Sequence, residues 1–336
     1  MSDLSAPAAA GARPRPRLPA GGAALAARYG APLALLALLA FNLAATPNFL
    51  SWQTLDVNLT QVAPIVIVAV GMTLVIATGG IDLSVGSLMA IAGALAPLIF
   101  LGKLFPVPHP LAGVALAMVV PVLLAAALGW FNGVLVTRFA IQPIVATLVL
   151  FIAGRGVAQV MTGGNLQEFR VPEFQFIGLG RVFGVPAQVL LMLAVVAAAA
   201  WLLRRTVLGR QVLAVGGNER AARLAGVPAG RVKRLVYAAS GALAGLAGLV
   251  VIAINSSSDA NLVGLGMELD AIAAVAVGGT LLAGGRATVL GTLTGALIIQ
   301  LLRYTLLANG VPDAAALVVK AGVIVLAVWV QRRGGG

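Results

Sequence analysis

The sequence is poor in the residues from which metal centres and disulfides are built. Its 336 residues include no cysteine and a single histidine, His109. Without cysteine the chain forms neither disulfides nor thiolate metal sites, and one histidine excludes a multi-histidine centre. Charged residues make up only 10% of the chain, whereas an ordinary soluble domain contains about 25%. We therefore expect no metal and no cofactor, and charge this sparse argues against a soluble domain.

Motifs of nucleotide-binding and hydrolytic sites are missing as well. The only Gly-Lys pair, Gly102-Lys103, has Pro97 where a phosphate-binding loop needs its first glycine. There is no H-E-x-x-H sequence and no G-x-S-x-G in a strand-to-helix setting. Carboxylates near apolar segments are few, and a proton-driven pump needs buried relays of such groups. The sequence thus offers no phosphate-binding loop and little from which to build a proton relay.

Apolar residues are abundant instead, at 60% of the chain, and the mean hydropathy is +1.04. A spanning helix needs about 20 largely apolar residues. Ten apolar segments approach this length, which predicts an all-α integral membrane protein with about ten transmembrane helices. The segments cover residues 31–46, 61–78, 84–101, 110–129, 141–161, 187–203, 235–254, 268–283, 288–307 and 314–331.

The basic residues predict how these segments are oriented. The net charge is +12, and the basic residues lie between apolar segments, as in loops that face an anionic cytoplasmic leaflet, so we expect no nucleic-acid partner. With a cytoplasmic N-terminus and ten spans, sixteen of the 22 basic residues lie inside, three lie outside and three lie within spans. This asymmetry predicts that both termini are cytoplasmic.

Domain boundaries follow from the same patterns. Residues 1–30 are rich in Ala, Pro, Gly and Arg, a composition typical of a disordered basic cytoplasmic tail. A cleaved secretory signal is the alternative interpretation. Residues 31–333 are expected to form one transmembrane domain, in which 204–234 is a cytoplasmic loop with eight basic residues.

A helix break is predicted after the second apolar segment. Gly79 and Gly80 are typical of a helix end, and we expect one of them to adopt a positive φ or to touch a neighbouring backbone. Asp82 or Ser84 can then cap the next helix. This arrangement needs no ligand. Alternatively, the stretch from Thr78 to Ser84 lines the solute pathway, where free backbone groups can contact a polar solute.

A second glycine-rich stretch suggests an internal repeat. Residues 278–285 agree with residues 79–86 at four of eight positions when Gly79 is aligned with Gly278. Both stretches follow an apolar helix on the cytoplasmic side of the predicted topology, and repeats are common in transporters. Small residues recur in the helix that precedes the second stretch, which predicts close helix packing there.

A short capped helix is predicted within the cytoplasmic loop. Asn218 is a good N-cap, Glu219 suits a first turn and Gly226 suits a helix end. Ala221 and Ala222 favour helix, and Arg220 and Arg223 lie three residues apart on its surface. One interpretation is a plain basic loop, and the other is a rigid helix that docks into a cytoplasmic partner.

Three basic residues lie inside predicted spans. Arg155, Arg303 and Lys320 each fall roughly 10 Å below the outer surface, at a rise of about 1.5 Å per residue. Asp270 lies at similar or shallower depth, and we expect it to pair with Arg155 or Lys320. The alternatives are snorkelling to the outer interface, an ion-pair network between helices, and contact with a solute at the outer vestibule.

Several of these stretches resemble the ribose-type sugar permeases of ABC transporters, over about residues 40–331. The resemblance is carried by residues 79–87, 132–133, 141–148, 209–227 and 269–286. Within that family the galactofuranose permeases are the most similar subgroup. Residues 153–159, 268–272 and 295–300 carry this finer resemblance. Residues 102–109 and 163–186 show no match to the family.

The resemblance implies a function and a set of partners. The chain would be a multi-pass inner-membrane permease subunit that imports a monosaccharide, either a pentose or a furanose-form hexose. A separate cytoplasmic ATPase subunit would hydrolyse ATP, so the chain itself would not be an enzyme. A second permease subunit, identical or paralogous, and a periplasmic sugar-binding protein would complete the importer. The family's coupling helix maps onto residues 218–226.

Two other functions are compatible with the sequence. A permease for a nucleoside or another small polar solute would have the same architecture. A secondary transporter or channel would work alone, without an ATPase, and solute flux through the isolated chain would favour it.

Overall fold

A computed structural model describes residues 20–106 and 109–334, and this part of the chain is predominantly helical. Its helices are α1 (Ala20–Ala45), α2 (Trp52–Ala77), α3 (Val85–Phe100), α4 (Pro110–Arg138), α5 (Pro143–Thr162), α6 (Pro172–Leu179), α7 (Ala187–Arg205), α8 (Val207–Gly217), α9 (Glu219–Leu224), α10 (Ala229–Asn255), α11 (Met267–Val277), α12 (Val289–Ala308) and α13 (Asp313–Gly334). The strands, of two residues each, are β1 (Gln167–Glu168), β2 (Arg181–Val182), β3 (Val185–Pro186) and β4 (Ser257–Ser258).

Six helices in the described part of the chain are long and apolar enough to cross a membrane: α2, α4, α5, α7, α10 and α12. Helix α3 and parts of α1 and α13 are apolar but shorter. The protein is therefore an all-α membrane protein, as its composition predicts.

Each of the ten predicted apolar segments overlaps one helix, but several boundaries differ, with α2 and α10 beginning earlier and α4 ending later than predicted. Helix α11 ends at Val277, several residues before the end of the predicted segment 268–283, because glycines follow it. Helix α1 begins at Ala20, so residues 20–30 of the expected tail are helical. This stretch contains several alanines, which have the highest helix propensity. Residues 1–19 lie outside the described chain.

Helix α2 lies at the centre of the protein. Every residue from Val62 to Ala77 is buried, and α3 is buried along nearly its whole length. Helices α7, α10, α11 and α12 pack around α2, whereas α4, α5 and α10 pack around α3. An apolar helix without an exposed face belongs in a protein core. The centre of this membrane protein is thus formed by α2 and α3, and exposed apolar side chains are carried by helices around it, among them α1, α4, α5, α7 and α13.

Small residues bring α4 and α10 into close contact. The backbones cross at Gly129 of α4 and Gly241 of α10, where an added Cβ would overlap carbonyl oxygens of the opposite helix. The same principle holds for α11 and α12, where Ala274 lies against Gly295. Membrane helices associate through such small residues because lipid provides no hydrophobic driving force between them. The predicted close packing of the α11 segment is therefore present.

The segment 163–186 is packed onto the helices rather than extended as an open loop. Phe169 and Phe174 of this segment form a cluster with Phe100, with ring centroids 5.0–5.6 Å apart. Strand β1 pairs with β4, so this segment is joined to the connection between α10 and α11. Arg181 forms an ion pair of 2.8 Å with Asp56 at the start of α2.

Candidate transport and coupling sites

Helix α2 ends in a Schellman motif. Thr78 is the C-cap, and Gly79 follows with a φ of +78°. The Gly79 N–H donates to the Ile76 carbonyl at 2.9 Å, and the Gly80 N–H donates to the Val75 carbonyl at 3.2 Å. The motif needs a left-handed residue, which glycine adopts without steric cost. The expectation of a positive φ at one of these two glycines is confirmed.

Asp82 is fully buried beyond this helix end. Its Oδ1 accepts from the Ser84 N–H at 3.0 Å and from the Ser84 hydroxyl at 2.6 Å. Its Oδ2 accepts from the Ser240 hydroxyl at 2.9 Å. Ser84 is the N-cap of α3 but makes no side-chain cap bond, because its Oγ is engaged by Asp82 and by Asn132. The predicted capping of α3 is thus replaced by a tight turn between Asp82 and Ser84.

The same stretch is bonded to three surrounding helices. The Leu83 N–H donates to Thr147 Oγ1 of α5 at 3.1 Å, and the Tyr237 hydroxyl of α10 donates to the Ile81 carbonyl at 3.4 Å. Asn132 of α4 donates to Ser84 Oγ at 2.9 Å. The residues from Thr78 to Ser84 are therefore held by polar contacts from α4, α5 and α10.

Helix α9 has the predicted caps. The Asn218 Oδ1 accepts from the Ala221 N–H at 3.0 Å, and Gly226 follows the helix with a φ of +81°. Ala222 is buried, whereas Arg220 lies on the exposed side. The side chain of Leu224 is 86% exposed, which sequence analysis did not single out. The sequence did contain a signal for this exposure, because Leu224 is the one large apolar residue in a short segment of charged residues and alanines.

Ion pairs organise the base of α9. Glu219 accepts from Arg223 Nη2 and from Lys233 Nζ, both at 2.6 Å. Burial opposes ionisation of this carboxyl, but the hydrogen bonds from Lys233 and Arg223 outweigh burial and lower the pKa of Glu219. Helix α9 is thereby tied to the start of α10.

The four residues of the predicted intramembrane charge cluster are only partly brought together. Lys320 of α13 forms an ion pair with Asp270 of α11. Arg155 of α5 does not reach Asp270, and instead donates to the carbonyls of Ala260 at 2.9 Å and Val263. Arg303 lies with Lys320 beside a small cavity between α12 and α13. Of the two partners expected for Asp270, the structure places Lys320 beside it, whereas Arg155 is bonded to carbonyls of the connection before α11.

Comparison with known proteins identifies the family. Residues 55–328 match the family described as "Branched-chain amino acid transport system / permease component". The chain belongs to this permease family. It is 44% identical over 305 residues to the ribose import permease protein RbsC of Escherichia coli (strain K12), covering 90% of this chain and 92% of RbsC. No solved structure matches the chain.

Other relatives carry the names of further sugars. The galactofuranose transporter permease protein YtfT of Escherichia coli (strain K12) is 41% identical over 316 residues, covering 89% of this chain and 88% of YtfT. The fructose import permease protein FruF of Bifidobacterium longum (strain NCC 2705) is 36% identical over 278 residues, covering 82% of this chain and 76% of FruF. The chain is thus a multi-pass inner-membrane permease subunit of an ABC importer, a transport component rather than an enzyme.

Helix α11 of the permease ends in the same Schellman motif as α2. Gly279 has a φ of +82°, its N–H donates to the Ala276 carbonyl at 3.0 Å, and the Thr280 N–H donates to the Val275 carbonyl at 3.2 Å. Gly79 therefore corresponds to Gly279. The predicted alignment of Gly79 with Gly278 is therefore wrong by one residue. Residue identity between two glycine pairs does not show which glycine of each pair has the positive φ.

Proposed function

We propose that this permease imports a monosaccharide, either a pentose or a furanose-form hexose such as galactofuranose. The support is the agreement among its relatives, which are named for ribose, galactofuranose and fructose and which it covers over most of their length. In this proposal the sugar crosses the membrane through two permease subunits, identical or paralogous. A periplasmic sugar-binding protein delivers it, and a cytoplasmic ATPase subunit supplies the energy.

The proposed topology has ten spanning helices with both termini in the cytoplasm. Two observations support it: every predicted apolar segment overlaps a helix, and the basic residues divide sixteen to three between the two sides. The domain from residue 31 to 333 then carries the loop 204–234 on the cytoplasmic face, where anionic lipid attracts its basic residues. The basic segment 1–30 precedes it on the same side.

Helix α9 carries the proposed coupling to the ATPase subunit. It is capped at both ends, it is anchored to α10 through Glu219, and it displays Leu224 and Arg220 to the cytoplasm. Arginine is enriched among the residues that contribute most of the energy at protein interfaces, and an exposed apolar side chain such as Leu224 gains when a partner removes it from water. The coupling segment from Asn218 to Gly226 therefore has the composition and rigidity of a docking element.

The other two predicted sites receive structural roles. We infer that Thr78 to Ser84 is a rigid connection, since Asp82 and Ser84 are buried and their oxygens are bonded within the protein. The Asp270–Lys320 ion pair is proposed to hold α11 against α13. Breaking such a pair in a low-dielectric environment leaves an uncompensated charge, which gives both residues a role in stability.

The substrate is tested by uptake into proteoliposomes. The permease is reconstituted with its ATPase subunit and binding protein, and radiolabelled ribose, galactose, fructose and uridine are compared with and without ATP. We expect ATP-dependent uptake of one of the sugars. Uptake of uridine alone would indicate a nucleoside permease, and ATP-independent flux through the permease alone would indicate a secondary transporter.

The coupling role is tested by Ala222→Pro. The Ala222 N–H donates to the Asn218 carbonyl at 2.9 Å, and proline removes this bond and distorts the helix. We expect the variant to insert in the membrane normally but to lose permease-stimulated ATP hydrolysis. Leu224→Ala, which keeps the helix, should reduce stimulation less. Normal stimulation in Ala222→Pro would contradict the proposed coupling role.

A further inference from the structure

Three backbone segments meet at the end of α8. These are Gly216 of α8, the end of α2 at Ala77 and Gly79, and Gly284 and Gly285 in the connection between α11 and α12. The Gly285 N–H donates to the Ala77 carbonyl at 3.1 Å, which joins the end of α2 to the connection that follows α11. We refer to residues 78–84 and 278–286, the segments that follow α2 and α11, as the ends of these two helices. We call Gly79, Gly216, Gly284 and Gly285 the glycine junction.

Side chains are excluded from three of the four positions of the glycine junction, Gly216, Gly284 and Gly285. A Cβ on Gly216 would overlap the Ala77 carbonyl oxygen and lie 2.5 Å from the Gly285 nitrogen. A Cβ on Gly284 would lie 2.8 Å from the Gly79 nitrogen and 3.0 Å from the Gly216 oxygen. Backbone atoms cannot rotate away as side-chain atoms do. A displacement of α8 is therefore passed to the ends of α2 and α11 without a flexible side chain to absorb it.

The junction lies one short connection away from α9. Helix α8 ends at Gly217 and α9 begins at Glu219, so that Asn218 alone separates them and caps α9. The N–H of Asn218 also donates to the Ala214 carbonyl of α8 at 3.1 Å. Helices α8 and α9 thus share a hydrogen-bonded corner, and movement of one is expected to move the other.

We propose that the glycine junction transmits movement of α9 to the ends of α2 and α11, and that Gly216 is a positioning residue for transport. This proposal rests on the proposed coupling role of α9. Nucleotide binding in the ATPase subunit displaces α9 and α8, and Gly216 then displaces the two helix ends together. Helix α2 lies at the buried centre of the permease and α11 packs against it, so a displacement of their ends can alter the pathway.

The proposal is tested by hydrogen–deuterium exchange of the permease assembled with its ATPase subunit, with and without a non-hydrolysable ATP analogue. We expect nucleotide to change exchange in α9, in residues 78–84 and in residues 278–286. A change in α9 that is absent from both helix ends would overturn the junction. No change in α9 itself would instead overturn the coupling role on which the junction depends.

Two adjacent substitutions distinguish the effect of contact with neighbouring segments from the effect of helix propensity. Gly216→Ala and Gly217→Ala both replace glycine with a better helix former, but only the Cβ at Gly216 meets other atoms, whereas that at Gly217 has open space. We expect Gly216→Ala to lose the nucleotide-dependent change at both helix ends and Gly217→Ala to keep it. Equal behaviour of the two variants would contradict the proposal. If Gly216→Ala does not assemble, the exchange measurement on the unmodified permease decides.

Discussion

The ends of α2 and α11 share a backbone motif but are held in different ways. Both have a left-handed glycine, Gly79 or Gly279, and the same pair of hydrogen bonds to the preceding turn. After α2, the buried Asp82 collects donors from its own turn and from α10. After α11, the corresponding position is Leu282, which brings no carboxylate, and the chain is held mainly by close backbone contacts and by hydrogen bonds with Thr288. One turn geometry thus supports a connection held by a polar side-chain network and another held by close backbone packing.

This difference predicts unequal local stability at the two ends. Residues 78–84 receive side-chain hydrogen bonds from three other helices. Residues 278–286 are bonded by Thr288 beside the start of α12, whose N–H donates to Thr280 Oγ1 at 3.1 Å and whose hydroxyl donates to the Gly278 carbonyl at 3.2 Å. Local opening is easiest where few buried contacts resist it. The α11 end is expected to exchange its amide hydrogens faster than the α2 end when no nucleotide is bound.

Valine at the position after each left-handed glycine is expected to affect the two helix ends unequally. A Cβ on Gly80 would lie 2.6 Å from the Tyr237 hydroxyl, so Gly80→Val overpacks a buried site and should cost about 3 kcal/mol of stability. Thr280→Val at the corresponding position of α11 keeps the branched shape and should cost less, since the expected loss is about 1 kcal/mol for each hydrogen bond removed, such as the bond from the Thr288 N–H.

Thermal unfolding of the purified permease in detergent measures both variants. If Gly80→Val melted within a degree or two of Thr280→Val, the α2 end would not be packed as tightly as the structure shows.

Asp82 tests the polar network itself. Asp82→Leu introduces the residue found at the corresponding position after α11 and leaves three buried donors without an acceptor, at a cost of about 1–3 kcal/mol each. Asp82→Asn keeps one acceptor oxygen, and the Ser240 hydroxyl can accept from the new amide, so we expect a much smaller loss. Thermal unfolding and uptake are measured together. Loss of uptake in a fully folded Asp82→Asn variant would reveal a functional rather than a structural carboxylate.

Alanine at the two left-handed glycines should cost a similar amount. Gly79→Ala and Gly279→Ala each place a Cβ in the left-handed region, at a cost of about 1–2 kcal/mol. Space for the Cβ exists at both positions, since the nearest atom is 3.6 Å away at Gly79 and none lies within 4 Å at Gly279. Equal shifts in the melting temperature would support the shared motif. A shift confined to one variant would show that the two turns differ in more than their side chains.

The smallest expected effect is a pH dependence of amide exchange in α9, for which exchange at the two helix ends is the internal reference. Because Glu219 has a lowered pKa in the folded protein, its stabilising effect is present above its unfolded pKa, about 4.3, and is lost as the pH falls through the folded value. Amide exchange in α9 should therefore rise in acid relative to exchange at 78–84. Glu219→Gln should abolish this pH dependence, and an unchanged profile in that variant would assign it to another group.

Local features of the permease were predictable from the sequence, whereas contacts distant along the chain were not. Hydropathy located ten of the described helices but not α6, α8 or α9, and Asn218 could be identified as a cap because its partner is three residues away. The Ser240 hydroxyl that binds Asp82 lies 158 residues away, and no periodic pattern connects the two. Predicted membrane depth limited the partner of Asp270 to two cations, Arg155 and Lys320. It could not show that Arg155 binds backbone carbonyls instead, because these carbonyls lie in an irregular connection. Such backbone acceptors carry no signature in a residue pattern.

The enclosure of α2 has a consequence for how the protein is made. A polypeptide enters the membrane in chain order, and α2, with a mean hydropathy of 2.3 over its most apolar window, is apolar enough to insert on its own. Its neighbours α7, α10, α11 and α12 are synthesised only later, so newly inserted α2 is first surrounded by lipid. Each later helix replaces part of that lipid, and the last stretch of α2 surface is covered only after α12 has been synthesised. A ribosome that stalls before residue 289 therefore leaves an intermediate in the bilayer. In this intermediate, the surface of α2 that α12 later covers is still exposed to lipid.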